Sequence, residues 1–224
     1  MFKLAIFDLD GTLIDSVHDL ADATNRALTD LGLPTHEADK YYYFVGNGAL
    51  KLCERALPED MRTPENIKTL HCKFTEKYAS CCLNKTVPYK GISAVLSALQ
   101  DMGIKCAVAS NKPDAFSVRI VRHFFGDCFD LTVGKRDGVP TKPDPQIVQY
   151  IMDALDAESS ETVMIGDSSV DILTAKNSGT ASIGCTWGFR SEEELVEAGC
   201  KYLAHEPADI LKLISEMEAQ NAPV

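Results

Sequence analysis

Residues 3–12 read KLAIFDLDGT. Lys3 to Leu9 has the pattern of a buried first β-strand, and the DGT that closes the stretch is a turn signal. On a strand, Asp8 and Asp10 point to one face. Two carboxylates that close repel each other unless a positive charge sits between or beside them. Taken alone the pair fits three readings: a solvated turn, a metal site, or a nucleophile with its acid/base partner.

Downstream of the turn, Val17, Leu20, Ala21, Thr24, Ala27, Leu28 and Leu31 keep helical spacing, with Ser16 placed to cap the helix and Gly32 to stop it. More helical stretches lie near 36–44, 48–57, 64–83 and 92–102. A second strand, IKCAVAS, appears only at 104–110. One crossover helix is enough to join two parallel strands. The surplus, residues 15–86, is therefore expected to be a helical insertion that packs on itself within a core of 1–14 and 87–224, with TVPYKG (86–91) as the return linker. The chain then alternates helices (114–125, 144–155, 169–178, near 191–198 and 207–219) with strands (130–133, 162–166 and 181–185). That alternation predicts a doubly wound parallel α/β sheet. The tail AQNAPV (219–224) is expected to fray.

A chain of 224 residues holds one large domain or a domain with a smaller companion, and can bury roughly 70% of its unfolded surface. Its hydrophobic content of 45% and charged content of 25% are those of a globular protein. A net charge of −11 excludes a nucleic-acid surface or a polybasic membrane patch, so an anionic substrate must be attracted by local groups or a metal. No stretch approaches the ~20 apolar residues of a membrane span. The apolar start is short and broken by Asp8 and Asp10, so it is not expected to be a signal peptide. The eight cysteines form no C-x-x-C pair and read as small buried hydrophobes in a reducing cytoplasm, the expected location.

In open parallel sheets, ligands bind beyond the carboxyl ends of the strands. The unusual polar residues fall there repeatedly: Asp8 and Asp10 after the first strand, Ser110 and Asn111 in VASNKPD, Lys142 in PTKPDP, and Asp167, Ser168 and Asp171 in GDSSVD. Each alone has an ordinary explanation as a helix cap, a solvated lysine or a turn pair. On four separate crossovers at one rim, they point to a single site. Asp8, Asp10, Asp167 and Asp171 are hard oxygen ligands with no nearby His or Cys, a set that favours Mg²⁺ over zinc. Lys142, Ser110 and Asn111 supply positive charge and donors for phosphoryl oxygens. With one carboxylate to attack and another to move protons, the set describes phosphoryl transfer.

DLDGTL, SN, K and GDSSVD resemble, in order, the four motifs of the haloacid dehalogenase superfamily, and the helical insertion resembles that superfamily's first type of cap. Within the chain, VGNGALKLCERAL and TWGFRSEEELVEAG are most similar to the phosphoglycolate phosphatase branch, which also includes pyrophosphatases. The resemblance implies a Rossmann-like core and a phosphoric monoester hydrolase acting on a small phosphorylated metabolite. It makes Asp8 the nucleophile that forms an aspartyl-phosphate, and Asp10 the acid that protonates the leaving group and then activates water. Ser110 and Lys142 would hold phosphoryl oxygens, with Asn111 and the Gly11–Thr12 turn adding secondary contacts. Asp8, the backbone carbonyl of Asp10, and Asp167 would bind Mg²⁺, with Asp171 acting directly or through water. Dehalogenases of the superfamily lack a carboxylate at the place of Asp10, and P-type ATPases carry threonine there. Asp10 therefore implies hydrolysis or transfer of phosphate.

On the cap side, GNG (46–48) opens a helix whose N–H groups can meet an anion, which makes Gly46, Asn47 and Gly48 candidate substrate contacts. Lys51, one turn on, and Arg190, near the core rim, are further candidates. Tyr41, Tyr42 and Tyr43 are adjacent and cannot share one helix face. Alternative readings are a phosphomutase resembling β-phosphoglucomutase, a pyrophosphatase, and a non-enzymatic, receiver-like phospho-acceptor. A monomer or homodimer is expected.

Overall fold

The computed structural model describes residues 1–221. Strand β1 is Leu4–Phe7, four residues with no exposure on either face. Ala5 and Phe7 pack into one apolar cluster, while Leu4 and Ile6 pack into a second with Ile147, Val148 and Ile151. Burial on both faces is why the stretch reads as an unbroken apolar run and not as an alternation. The strand ends sooner than the expected Leu9. The Asp8 N–H still donates to the Ile165 carbonyl at 2.9 Å, but Gly11 at φ +92° turns the chain, and the N–H groups of Leu13 and Ile14 return to the Leu9 carbonyl.

A two-residue strand, β2 (Ile14–Asp15), follows. Then come helices α1 (Val17–Asp30), α2 (Tyr41–Phe44), α3 (Ala49–Ala56) and α4 (Pro64–Cys81). Leu70, Phe74, Tyr78 and Cys81 form the buried stripe of α4, whose start is capped by Thr63 and primed by Pro64. Strand β3 (Val87–Pro88) pairs antiparallel with β2, setting Ile14 opposite Pro88 and Asp15 opposite Val87. The helical segment thus leaves and rejoins the sheet through a two-stranded ribbon. Two-residue strands carry too little periodicity to be read from sequence.

The remaining elements are α5 (Ile92–Asp101), β4 (Lys105–Pro113), α6 (Asp114–Phe125), β5 (Leu131–Lys135), α7 (Gln146–Leu155), β6 (Thr162–Gly166), α8 (Ser169–Ser178), β7 (Ala181–Cys185), α9 (Glu192–Glu197), β8 (Leu203–Ala204) and α10 (Asp209–Asn221). The sheet runs β5-β4-β1-β6-β7-β8 with every pair parallel, the doubly wound α/β, Rossmann-like arrangement expected. The chain steps to opposite sides of β1, so the crevice at the carboxyl ends of β4, β1 and β6 is the ligand position for such a sheet. Strand β8 was not expected, and β4 runs three residues past Ser110. Helix α10 continues through Asn221, so residues 219–221 are helical, and the rest of the AQNAPV tail lies outside the described residues.

All eight cysteines are free, and six are buried as expected; Cys128 is half-buried and Cys72 is exposed. Among the described residues no helix is long and apolar enough to cross a membrane.

Two polar groups near the ribbon tie segments together, and the first departs from expectation. Ser16 sits at the start of α1, yet its hydroxyl makes no cap and instead donates to Asp10 Oδ1 at 2.5 Å. Asp19, fully buried in α1, accepts the N–H groups of Lys85 and Thr86 and the Thr86 hydroxyl at 2.7–3.0 Å, tying the helix to the returning chain. Asp19→Ala leaves those donors buried and unpaired. It should cost about 2–3 kcal/mol, read as a lower urea midpoint at unchanged m-value.

Candidate active site

The four sequence signals converge. Asp8 follows β1, Ser110 lies on β4, Lys142 is in the loop before α7, Asp167 follows β6, and Asp171 opens α8. Carboxylate oxygens of Asp8, Asp167 and Asp171 lie within 4.8 Å of one another, all three residues buried or nearly so. The Lys142 ammonium, itself buried, stands 2.9 Å from Asp8 Oδ1 and 2.7 Å from Asp171 Oδ1. Burial works against the charge on Lys142, but Asp171 and Asp8 outweigh it and hold its pKa above the ordinary lysine value.

Local sequence explains each placement. Gly11 carries a positive φ that other residues rarely adopt, and a Cβ there would stand 2.3 Å from Asp167 Oδ2. A Cβ on Gly166 would likewise stand 2.3 Å from the Asp171 side chain. Asp167 accepts the Thr12 hydroxyl at 2.9 Å and the Phe189 N–H at 2.8 Å. Asp171 forms the capping box of α8 with Ser168, so the ordinary explanation holds for this pair.

The second carboxylate of DLD lies in different company. Asp10 is not part of the three-carboxylate group; Lys112 Nζ donates to both its oxygens at 2.7 and 2.8 Å. Each aspartate of the pair therefore has its own buried lysine. Burial opposes the charge on Lys112, and Asp10 chiefly reverses that, leaving its pKa raised. Lys112 was missed from sequence. Its signal was the two-residue spacing from Ser110 on a strand that runs past both.

Asn111, expected among the phosphate-binding residues, uses both ends of its amide on the backbone of Lys142: Nδ2 donates to the carbonyl at 3.1 Å, and Oδ1 accepts the N–H at 2.9 Å. It sets the position of the lysine. A narrow cleft of about 40 Å³ lies over the site, bounded by Asp8, Asp10 and Ser110 on the sheet side and by Gly46, Gly48 and Tyr78 on the helical side. Asn47 and Lys51 do not line it. Asn47 Oδ1 accepts from Arg55 at 2.8 Å, and Lys51 pairs with Glu54 on the exposed side of α3. Arg190 does not line the cleft either: it donates to the carbonyls of Tyr42 and of Val45, so its guanidinium joins the loop after β7 to the end of α2. Tyr41 is buried, Tyr42 half-buried and Tyr43 exposed, as adjacency requires.

The model of the haloacid dehalogenase-like hydrolases matches residues 5–185, the span that carries Asp8, Asp10, Ser110, Lys142, Asp167 and Asp171. The chain belongs to that family. A phosphoglycolate phosphatase of Psychrobacter arcticus is 38% identical over 202 residues, covering 86% of this chain and 87% of the relative. One from Vibrio parahaemolyticus is 33% identical, with 95% and 96% covered. Among solved structures, a predicted phosphoglycolate phosphatase from Haemophilus somnus superposes with a TM-score of 0.86 at 29% identity, covering 95% of this chain and 98% of that one. The haloacid dehalogenase-like core is thus hydrolase machinery, and the receiver-like reading falls.

Three carboxylates against one shared ammonium fit a divalent cation. Burial above all, then the Asp171 charge, raises Asp8 to about 7 even with Lys142 opposing. Burial, then Asp171 and Asp8, raises Asp167 to about 8. In the metal-free protein both hold protons more tightly folded than unfolded, so stability falls as pH rises from about 4 and the loss is complete above about 8. With chelator present, the melting temperature should be lower at pH 8.5 than at pH 5.5, and added Mg²⁺ should raise it more at the higher pH.

Proposed function

We propose that this protein is a Mg²⁺-dependent phosphatase that hydrolyses a small phosphomonoester, such as 2-phosphoglycolate, through an aspartyl-phosphate on Asp8. The observation that carries the reading is the division of the DLD pair. Asp8 is held by Lys142 beside two further carboxylates, and Asp10 is held separately by Lys112 and Ser16, yet both line one cleft. The names of the relatives support the substrate class. Those names weigh against the phosphomutase and pyrophosphatase alternatives.

Asp8, Asp167 and Asp171, with the backbone carbonyl of Asp10, would hold the cation, which when bound offsets the negative charge of the phosphoryl oxygens. The Lys142 ammonium and the Ser110 hydroxyl bind those oxygens and orient phosphorus towards Asp8. An Asp8 oxygen attacks, the bond from phosphorus to the alcohol oxygen breaks, and Asp10 delivers a proton to the departing alcohol. Asp10 then takes a proton from water as the water attacks phosphorus, and the Asp8 carboxylate is released with inorganic phosphate.

The β2–β3 ribbon lies at the two boundaries of 15–86, so this segment acts as a cap that closes over 1–14 and 87–224 and excludes bulk water during the reaction.

With 2-phosphoglycolate, Asp8→Asn should give no measurable phosphate release, and Asp10→Asn should lower kcat by about 10²–10⁴. Labelled substrate quenched in acid should leave phosphate on Asp8 of the wild type. Near-normal turnover in either variant, or label elsewhere, overturns the mechanism. Chelation should stop turnover and Mg²⁺ should restore it.

A further inference from the structure

Tyr78 projects from α4 and is 1% exposed, and its hydroxyl is the buried side-chain polar atom that has no hydrogen-bond partner among the described residues. Its ring is well fixed, stacked on Phe74 with centroids 5.3 Å apart and edge-on to Phe116 at 5.1 Å. A buried hydroxyl without a partner is costly, and phenylalanine would fill the same space without that cost. An orphaned donor of this kind calls for an explanation. Its position gives one, because Tyr78 lines the same cleft as Asp8 and Asp10.

The neighbouring charge is positive. Lys112 Nζ lies 4.9 Å from the centre of the Tyr78 ring, and two of its three N–H bonds go to Asp10, leaving a third. Burial, foremost, pushes the Tyr78 hydroxyl up in pKa despite the opposing Lys112 charge, which favours the neutral donor form. Apart from these two donors, the side chains of Leu20, Leu52, Phe74 and Phe116 make this part of the cleft apolar. A hydroxyl donor beside the one N–H of the ammonium that Asp10 does not take, on a largely apolar wall, suits a compact anion.

We propose that the Tyr78 hydroxyl, with the remaining N–H of Lys112, binds a carboxylate on the alcohol side of the substrate and so selects phosphate esters of small hydroxy acids. The inference rests on the phosphatase reading above and deepens it. Tyr78 is a specificity-determining residue here; it takes no part in the bond changes at phosphorus. A site built to hydrogen-bond a substrate group discriminates strongly against an analogue lacking it.

The test compares 2-phosphoglycolate with ethyl phosphate, which carries a methyl group in place of the carboxylate, in the wild type and in Tyr78→Phe. The wild type should prefer 2-phosphoglycolate. Tyr78→Phe should lose about tenfold or more in kcat/KM on 2-phosphoglycolate, mainly through KM, and stay within about twofold on ethyl phosphate. Because it removes an unpaired buried hydroxyl, the variant should melt at the same temperature or higher. Equal losses on both esters, no loss on 2-phosphoglycolate, or a melting temperature several degrees lower would each overturn the assignment while leaving the phosphatase reading intact. A wild type that releases phosphate from neither ester would overturn that reading itself, and this assignment with it.

Discussion

The Lys142 ammonium, buried between Asp8 and Asp171, is the contact on which the site depends. Carboxylates gathered at the ends of adjacent strands repel each other, and burial penalises each charge further, so the crevice can hold them only if cations come with them. Lys142 arrives from a different crossover and is placed there by the amide of Asn111, which grips its backbone on both sides. The glycines at 11 and 166 belong to the same arrangement, since a side chain at either would occupy the space of Asp167 or Asp171. Even so, one ammonium is not enough for three carboxylates: burial first, and then the neighbouring carboxylate charges, raise the affinity of Asp8 and Asp167 for protons.

The same logic extends to the second aspartate of DLD. Asp10 is stabilised by Lys112 from β4 and by Ser16 from the start of α1, next to the ribbon that joins the helical segment to the sheet. Separate counter-ions allow two carboxylates two residues apart to remain distinct chemical groups. The helical segment then closes the cleft with a mostly apolar surface, in which the Tyr78 hydroxyl stands out. Arg190 binds carbonyls at the end of α2 from the sheet side, so the two parts of the molecule are joined across the cleft by a residue that the sequence alone offered as a substrate contact.

What the sequence determined by itself follows from periodicity and from strand ends. The apolar run before Asp8, the alternation beyond residue 104 and the surplus of helices between them specify a doubly wound parallel sheet with an inserted helical segment. In such a sheet the carboxyl ends of the strands share one rim, so Asp8, Ser110, Lys142, Asp167 and Asp171 could be assigned to a common place without coordinates. Tertiary structure decided the pairings. Which lysine serves which aspartate depends on how far β4 runs and on how the loop before α7 folds back. Whether Asn111, Asn47, Lys51 and Arg190 face a substrate or the protein depends on side-chain direction. The Ser16 hydroxyl left its helix for Asp10, and the Tyr78 hydroxyl was left without a partner, for the same reason. Side-chain hydrogen bonds are short and directional, and they are settled between segments far apart in sequence, where local pattern carries no information.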